Sequence, residues 1–221
     1  MALFPLVRHI SNALSSGLIR TPVTPNQITA TSILLGLISA AVLLLNTRAG
    51  DIACGILITI SYVLDNCDGD VARAKKLSSK FGAFFDTFGD WLVHAVLFAC
   101  LGVAAYERTD AILWLWFGIA ASAGSTINYV IGLINDLRLN KAPPPDFNPA
   151  DEGEFKRPAQ NESIGKWLVF VFRELARADF CFIVLVLAML DWLPYLLPFA
   201  AIGSQVYWII FFVVRDEKYH V

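Results

Sequence analysis

The stretch Asp65-Asn66-Cys67-Asp68-Gly69-Asp70-Val71-Ala72-Arg73, followed after the linker 74–81 by Gly82-Ala83-Phe84-Phe85-Asp86-Thr87-Phe88-Gly89-Asp90, decides how the whole chain is read. It lies between apolar runs, and a carboxylate at mid-membrane depth costs on the order of 2.5–3.5 kcal/mol. Helical geometry orders these carboxylates. Asp65 and Asp68 are three residues apart and share a face with Gly69 and Ala72. Gly82, Asp86 and Asp90 recur every four residues and form one stripe. The linker is short, so the two helices are expected to be antiparallel neighbours. The four carboxylates are expected to converge between them.

The surrounding sequence is that of a membrane protein. Of 221 residues, 57% are hydrophobic and 16% charged, with a mean hydropathy of +0.59, which excludes a disordered chain and argues against a soluble domain. Six apolar segments, about 28–47, 52–73, 83–106, 111–135, 168–190 and 193–214, each approach the ~20 residues needed to cross a bilayer. Backbone groups in lipid must pair internally, so each segment is expected to be a helix. Residues 1–20 place Leu3, Leu6, Val7, Ile10, Leu14 and Leu18 at helical spacing, with His9, Ser11, Asn12, Ser15 and Ser16 on the other side. That pattern predicts an amphipathic helix in the membrane interface. The fold class is therefore all-α: a polytopic membrane protein with six transmembrane helices and a juxtamembrane N-terminal helix, forming one domain over 1–221. No secretory leader is expected. The four cysteines lack CxxC spacing and read as reduced core residues.

Charge gives an orientation. With the N-terminus placed inside, fifteen Lys and Arg fall in inner segments, and only Arg48 and Arg108 fall in outer loops. Both termini and the acidic site are thus expected on the cytoplasmic side. Residues 136–163, polar and carrying Pro143-Pro144-Pro145, are expected to form a cytoplasmic loop without chemistry. The net charge of −2 offers no basic excess for nucleic acid.

Nearby anions cannot all stay charged in a low dielectric without a counter-charge. Carboxylate oxygens with no Cys or His among them suit hard divalent cations, Mg²⁺ or Mn²⁺. Two ions about 3.5–4 Å apart could be bridged by such a set, an arrangement that clamps transferring phosphoryl groups. Gly69, Ala72 and Gly82 then leave room for a ligand to approach the backbone. Asp65 lies about 12 Å inside the basic boundary at Arg73, counting 1.5 Å per residue. From that rim Arg73 can contact a phosphate.

These positions resemble the signature of the CDP-alcohol phosphotransferase family, DxxDGxxAR, eight residues, then GxxxDxxxD. Every specified position is filled, by Asp65, Asp68, Gly69, Ala72, Arg73, Gly82, Asp86 and Asp90. Thr24-Pro25-Asn26 before the first span also resembles family members. The resemblance implies transfer of a substituted phosphoryl group from a CDP-linked donor to an alcohol, releasing CMP. It implies Asp65, Asp68, Asp86 and Asp90 as metal ligands, with Asp65 and Asp68 bracketing the diphosphate. Asp90 is implied as the general base towards the acceptor hydroxyl. Gly69, Ala72 and Gly82 would make room for the cytidine, and Arg73 would bind a phosphate. A homodimer embedded in membrane lipid is implied as well. Ser79-Lys-Phe-Gly82 with Asp65-Asn-Cys-Asp68 looks closest to members handling inositol or sugar phosphates.

Several residues carry weaker signals. Asp70, about 140° round the helix from Asp65, is expected outside the metal cluster, solvated or paired with a lysine. His94 extends the stripe and reads either as a hydrogen-bonded bundle residue or as a group tuning Asp90. Arg173 and Arg177 share a face at the inner end of the fifth span, where they either hold a phosphate or anchor the span. Arg177-Ala-Asp179, deepest in that run, needs a buried partner. Ser125, Thr126, Asn128 and Tyr129 read as helix–helix contacts or as an acceptor pocket. An intramembrane prenyltransferase would use aspartates and Mg²⁺ too, but on more distant helices. A metal or proton transporter would need polar groups continuing into the outer halves of the spans, which are mostly apolar.

Overall fold

A computed structural model of the chain describes residues 6–139 and 179–217. Among the described residues all regular structure is helical: α1 (Leu6–Leu18), α2 (Pro25–Leu43), α3 (Arg48–Lys75), α4 (Lys80–Thr109), α5 (Ile112–Leu139), α6 (Phe180–Met189), a 3₁₀ turn (Leu193–Tyr195) and α7 (Leu196–Glu217). The starts of the helices follow local chemistry. Pro25 opens α2, while the Thr24 N–H donates to Gln27 Oε1 at 2.9 Å. Thr47 and Ser79 cap α3 and α4, their hydroxyls each accepting a backbone N–H three residues on, at 3.0 Å.

Four of these helices, over Pro25–Leu43, Arg48–Lys75, Lys80–Thr109 and Ile112–Ile134, are long and apolar enough to cross a membrane. They coincide with the first four expected segments. Large apolar side chains such as Leu34, Ile38, Leu113, Trp116 and Ile119 point outward and are exposed, which marks a membrane-embedded protein with lipid as its outer solvent. Of the fifth expected segment, 168–190, only residues 179–190 are described. Helix α5 runs to Leu139, past the boundary set at 136. The remainder of the 136–163 loop and both Arg173 and Arg177 lie outside the described residues.

The packing differs from the hairpin expected for the acidic helices. α3 and α4 are joined by a short connection, yet their backbones hardly approach each other. Instead α2 lies against both. Its buried stripe is small: Thr29, Ser32, Gly36, Ser39 and Ala40. Gly36 marks the crossing point. A Cβ there would fall 2.6 Å from both Val93 methyls on α4 and 3.1 Å from Ser61 Oγ on α3. Small residues allow such backbone approach in lipid, where little hydrophobic force acts between helices. α2 is thus a wedge that holds α3 and α4 apart towards their linked ends.

The largest buried cluster, including Leu43, Ile58, Leu97, Leu101, Leu193 and Leu197, fills the end of the bundle remote from the acidic residues. There α4 and α5 meet glycine to glycine: a Cβ on Gly102 would stand 2.9 Å from Gly118 Cα. Near the acidic residues only a smaller cluster forms, Val7, Ile28, Val63, Cys67 and Val71, between α1, α2 and α3.

Helix α1 faces the other way from the simple amphipathic reading. Ser11 and Ser15, expected on the solvated side, are buried with Val7 against α3, while Leu6, Ile10 and Leu14 are exposed. Serine is small enough for close packing and brings its own hydrogen bonds. Ser11 Oγ donates to the Arg8 carbonyl at 3.4 Å, and Ser15 Oγ to Asp70 at 3.1 Å. The buried partner needed by Asp179 is the start of this helix. Its fully buried carboxylate accepts the backbone N–H of Leu6 at 2.9 Å and of Val7 at 3.0 Å, as an anion does at a helix N-terminus.

Candidate active site

Helices α3 and α4 bring Asp65, Asp68 and Asp86 together. One carboxylate oxygen from each lies within 4.8 Å of the other two. Asp68 is buried and the other two half-buried. Among the described residues no Arg, Lys or His nitrogen forms an ion pair with any of the three. Three carboxylates without a counter-charge make an all-oxygen donor set, and that chemistry fits a hard divalent cation.

Asp90 stands beside this group rather than within it. It lies one turn further along α4, with its side chain 59% exposed. It lines a small cleft with Ser32 and Ile33 from α2, Ser61, Tyr62 and Asp65 from α3, and Gly89 and Val93 from α4. Asp65 therefore belongs both to the carboxylate cluster and to the wall shared with Asp90. The cleft exists because α2 props α3 and α4 apart. Gly89 lies so close to Ile33 of α2 that a Cβ would collide with it.

Sequence reasoning missed Thr29. Its hydroxyl, buried on α2, is hydrogen-bonded to Asp68 Oδ2, and it also lies 3.1 Å from the Pro25 carbonyl. The available signal was a polar residue recurring with Ser32, Gly36 and Ser39 along one face of an apolar helix. Such a hydroxyl orients a ligating carboxylate, and losing a group of this kind costs about 10–100-fold in metal affinity. Thr29→Val preserves shape and removes the hydroxyl. A Mn²⁺ titration of the purified variant is expected to show affinity reduced about tenfold or more. Unchanged affinity would exclude the orienting role.

Asp70 points away from the cluster, as its rotation requires, but its partners are arginines rather than a lysine. It meets Arg73 at 2.5 Å and Arg8 of α1 at 3.2 Å. Arg73 in turn lies over Gly69, where a Cβ would fall 3.3 Å from Nη1. Gly82 occupies the first turn of α4, and a Cβ there would fall 3.1 Å from Ser79 Oγ and 3.3 Å from Asn26 Oδ1. Ala72 is half-buried. The polar residues of α5 serve helix contacts. Thr126 Oγ1 accepts the Trp91 indole N–H at 3.1 Å, Asn128 Nδ2 donates to the Ser204 carbonyl at 2.9 Å, and Tyr129 stacks on Trp91 with ring centres 4.8 Å apart.

The fold and cluster together define a membrane-embedded helical protein with a carboxylate site suited to divalent cations. Residues 22–143, more than half of the chain, match the family described as CDP-alcohol phosphatidyltransferase. The chain belongs to that family. It is similar to a bifunctional IPC transferase and DIPP synthase of Thermococcus kodakarensis, 36% identical over 123 residues, which cover 54% of this chain and 27% of the relative. A CDP-diacylglycerol–serine O-phosphatidyltransferase of Helicobacter pylori is 33% identical over 116 residues, 52% of this chain and 45% of the relative. An archaetidylinositol phosphate synthase of Pyrococcus horikoshii is 30% identical over 106 residues, 48% of this chain and 55% of the relative. The matches thus span between about a quarter and about half the length of these relatives.

Proposed function

We propose that this protein is an integral membrane transferase that moves a substituted phosphoryl group from a CDP-linked donor to an alcohol, with release of CMP. The observation that carries this reading is the gathering of Asp65, Asp68 and Asp86, with no ion-paired cation among the described residues, on the positions that match the family signature. In this reading Asp65, Asp68 and Asp86 hold divalent cations, with Asp90 completing a two-ion site. Mg²⁺ or Mn²⁺ bound there neutralises charge on the donor diphosphate and makes CMP a better leaving group. The donor lies along the α3 motif: Gly69, Ala72 and Gly82 leave space for cytidine, and Arg73 exchanges Asp70 for a donor phosphate.

The chemistry then needs little else from the protein. Phosphoryl transfer depends on in-line placement and charge neutralisation. Asp90, exposed on the cleft beside Asp65, takes the proton of the acceptor hydroxyl. That oxygen bonds to the donor phosphorus as the bond from phosphorus to the CMP oxygen breaks. Arg173 and Arg177 would hold an acceptor or donor phosphate from the fifth span. The apolar cluster around Leu43, Ile58, Leu97 and Leu101 favours a transferase over a transporter.

The further features of this reading are six spans, an interfacial α1 with Leu6, Ile10 and Leu14 towards lipid, and a cytoplasmic site. The uneven distribution of Lys and Arg supports that orientation. The name of one relative, archaetidylinositol phosphate synthase, favours an inositol-type polar group on one substrate, with or without a lipid partner. The decisive experiment crosses CDP-diacylglycerol and CDP-linked polar alcohols with a panel of alcohol acceptors in Mg²⁺, scored for CMP. CMP formation with at least one pair is expected, strongest where an inositol phosphate takes part. Silence across the matrix would remove the assignment.

A further inference from the structure

We propose that Tyr62 and His94 form a positioning unit that aims the Asp90 carboxylate into the cleft. This inference rests on the phosphotransfer reading above, and it assigns to two residues outside the family signature a role in that reaction. The two side chains cross the gap between α3 and α4. The Tyr62 hydroxyl is 2.5 Å from His94 Nε2, and His94 Nδ1 is 2.7 Å from the Asp90 carbonyl oxygen. A carbonyl can only accept, so Nδ1 carries a proton, and in the neutral ring Nε2 accepts the tyrosine O–H. The ring is then bound at both ends. Its faces and edges are also held by aromatic neighbours: Tyr62, Phe180 and Phe98 lie with ring centres at 5.7, 5.6 and 6.3 Å.

The same Nδ1 lies 3.7 Å from Asp90 Oδ1. Among the described residues this is the ion-pair contact that the Asp90 side chain makes. A modest turn of the Asp90 side chain lets Oδ1 share the Nδ1–H with the Asp90 carbonyl oxygen in a three-centre hydrogen bond. One carboxylate oxygen is thereby tethered, leaving the other to face the cleft beside Asp65, where both the acceptor hydroxyl and an ion would meet it. A carboxylate 59% exposed at the mouth of a cleft would otherwise sample many rotamers, and catalysis is sensitive to such misplacement. Tyr62 acts one step further back, by fixing the ring that provides the N–H.

Three variants separate this role from simple bundle packing. His94→Asn keeps an N–H near the Nδ1 position. His94→Gln keeps a partner for Tyr62 near Nε2 and loses the donor to Asp90. Tyr62→Phe keeps the ring packing and frees the imidazole. For CMP release with Mg²⁺ and the best donor and acceptor pair, His94→Gln is expected to lower kcat about 30-fold, with the donor KM within about twofold. His94→Asn is expected to retain at least about a third of kcat, and Tyr62→Phe to lose about fivefold. Equal losses in the Asn and Gln variants would mark His94 as a packing residue and overturn the proposal. So would full kcat in His94→Gln or, should the His94 variants not fold, in Tyr62→Phe. Wild-type protein is run alongside: absence of CMP there overturns the transferase reading and this role together, whereas wild-type turnover with insensitive variants overturns only the role of the pair.

Discussion

Asp86→Asn is expected to lower CMP release by at least about 10³-fold at saturating Mg²⁺, the largest loss for any single change in this protein. Asp86 is the one member of the carboxylate cluster that comes from α4, whereas Asp65 and Asp68 both come from α3. Removing it leaves Asp90, which stands beside the cluster, as the sole proposed ligand from α4 and opens the side from which an ion would be closed in. Asparagine is nearly isosteric but neutral, so the change isolates charge from shape. Loss of a cation that stabilises developing phosphate charge costs several kcal/mol, and each ~1.4 kcal/mol is a factor of ten in rate. Mn²⁺ titration is the second readout and should show weakened binding in the same variant. Activity above about a tenth of wild type across a Mg²⁺ series would remove Asp86 from the proposed metal ligands.

The sequence made the first four membrane helices legible because apolar length in lipid has few alternatives to a helix. The starts were less legible: Thr47 and Ser79 cap α3 and α4 a few residues before the segments expected from 52 and 83. The acidic cluster was legible for a local reason: spacings of three and four residues place side chains on one face whatever else the chain does. Where a face points was not legible. Ser11 and Ser15 looked solvated by polarity, yet small size let them pack against α3, where Asp70 meets Ser15. A short linker implied that α3 and α4 run antiparallel. It did not reveal that α2, through Gly36 and its small neighbours, would lie between them and create the cleft. Partners distant in sequence were out of reach as well. Nothing local to Asp179 announces the N-terminus of α1, and nothing local to Asp68 announces Thr29.

The other large effect concerns a pair that the sequence also concealed. Arg108, read as an outer-loop charge, lies in the last turn of α4 and grips Asp51 in the first turn of α3 with two hydrogen bonds of 2.6 and 2.7 Å. Asp51 is 1% exposed, and Arg108 also reaches Asn46 Oδ1 at 3.3 Å. This tie joins α3 to α4 at the end opposite the carboxylate cluster, so the two helices are pinned there and held apart by α2 nearer the site. Arg108→Ala leaves the Asp51 charge buried and unpaired. Breaking a buried pair from one side costs about 3–5 kcal/mol; the partial exposure of Arg108 sets the expectation at the lower end, about 3 kcal/mol. For a chain of this size, that corresponds to a fall in Tm of about 6–12 °C, measured by thermal unfolding in detergent. The double variant Asp51→Leu/Arg108→Met removes both charges and should recover most of the loss, because an apolar pair of similar volume escapes the desolvation cost. A Tm for Arg108→Ala within about 2 °C of wild type would mean that Asp51 finds water or another cation. The ends of α3 and α4 remote from the carboxylate cluster would then be held together by apolar packing around Leu101 and Ala105 rather than by this ion pair.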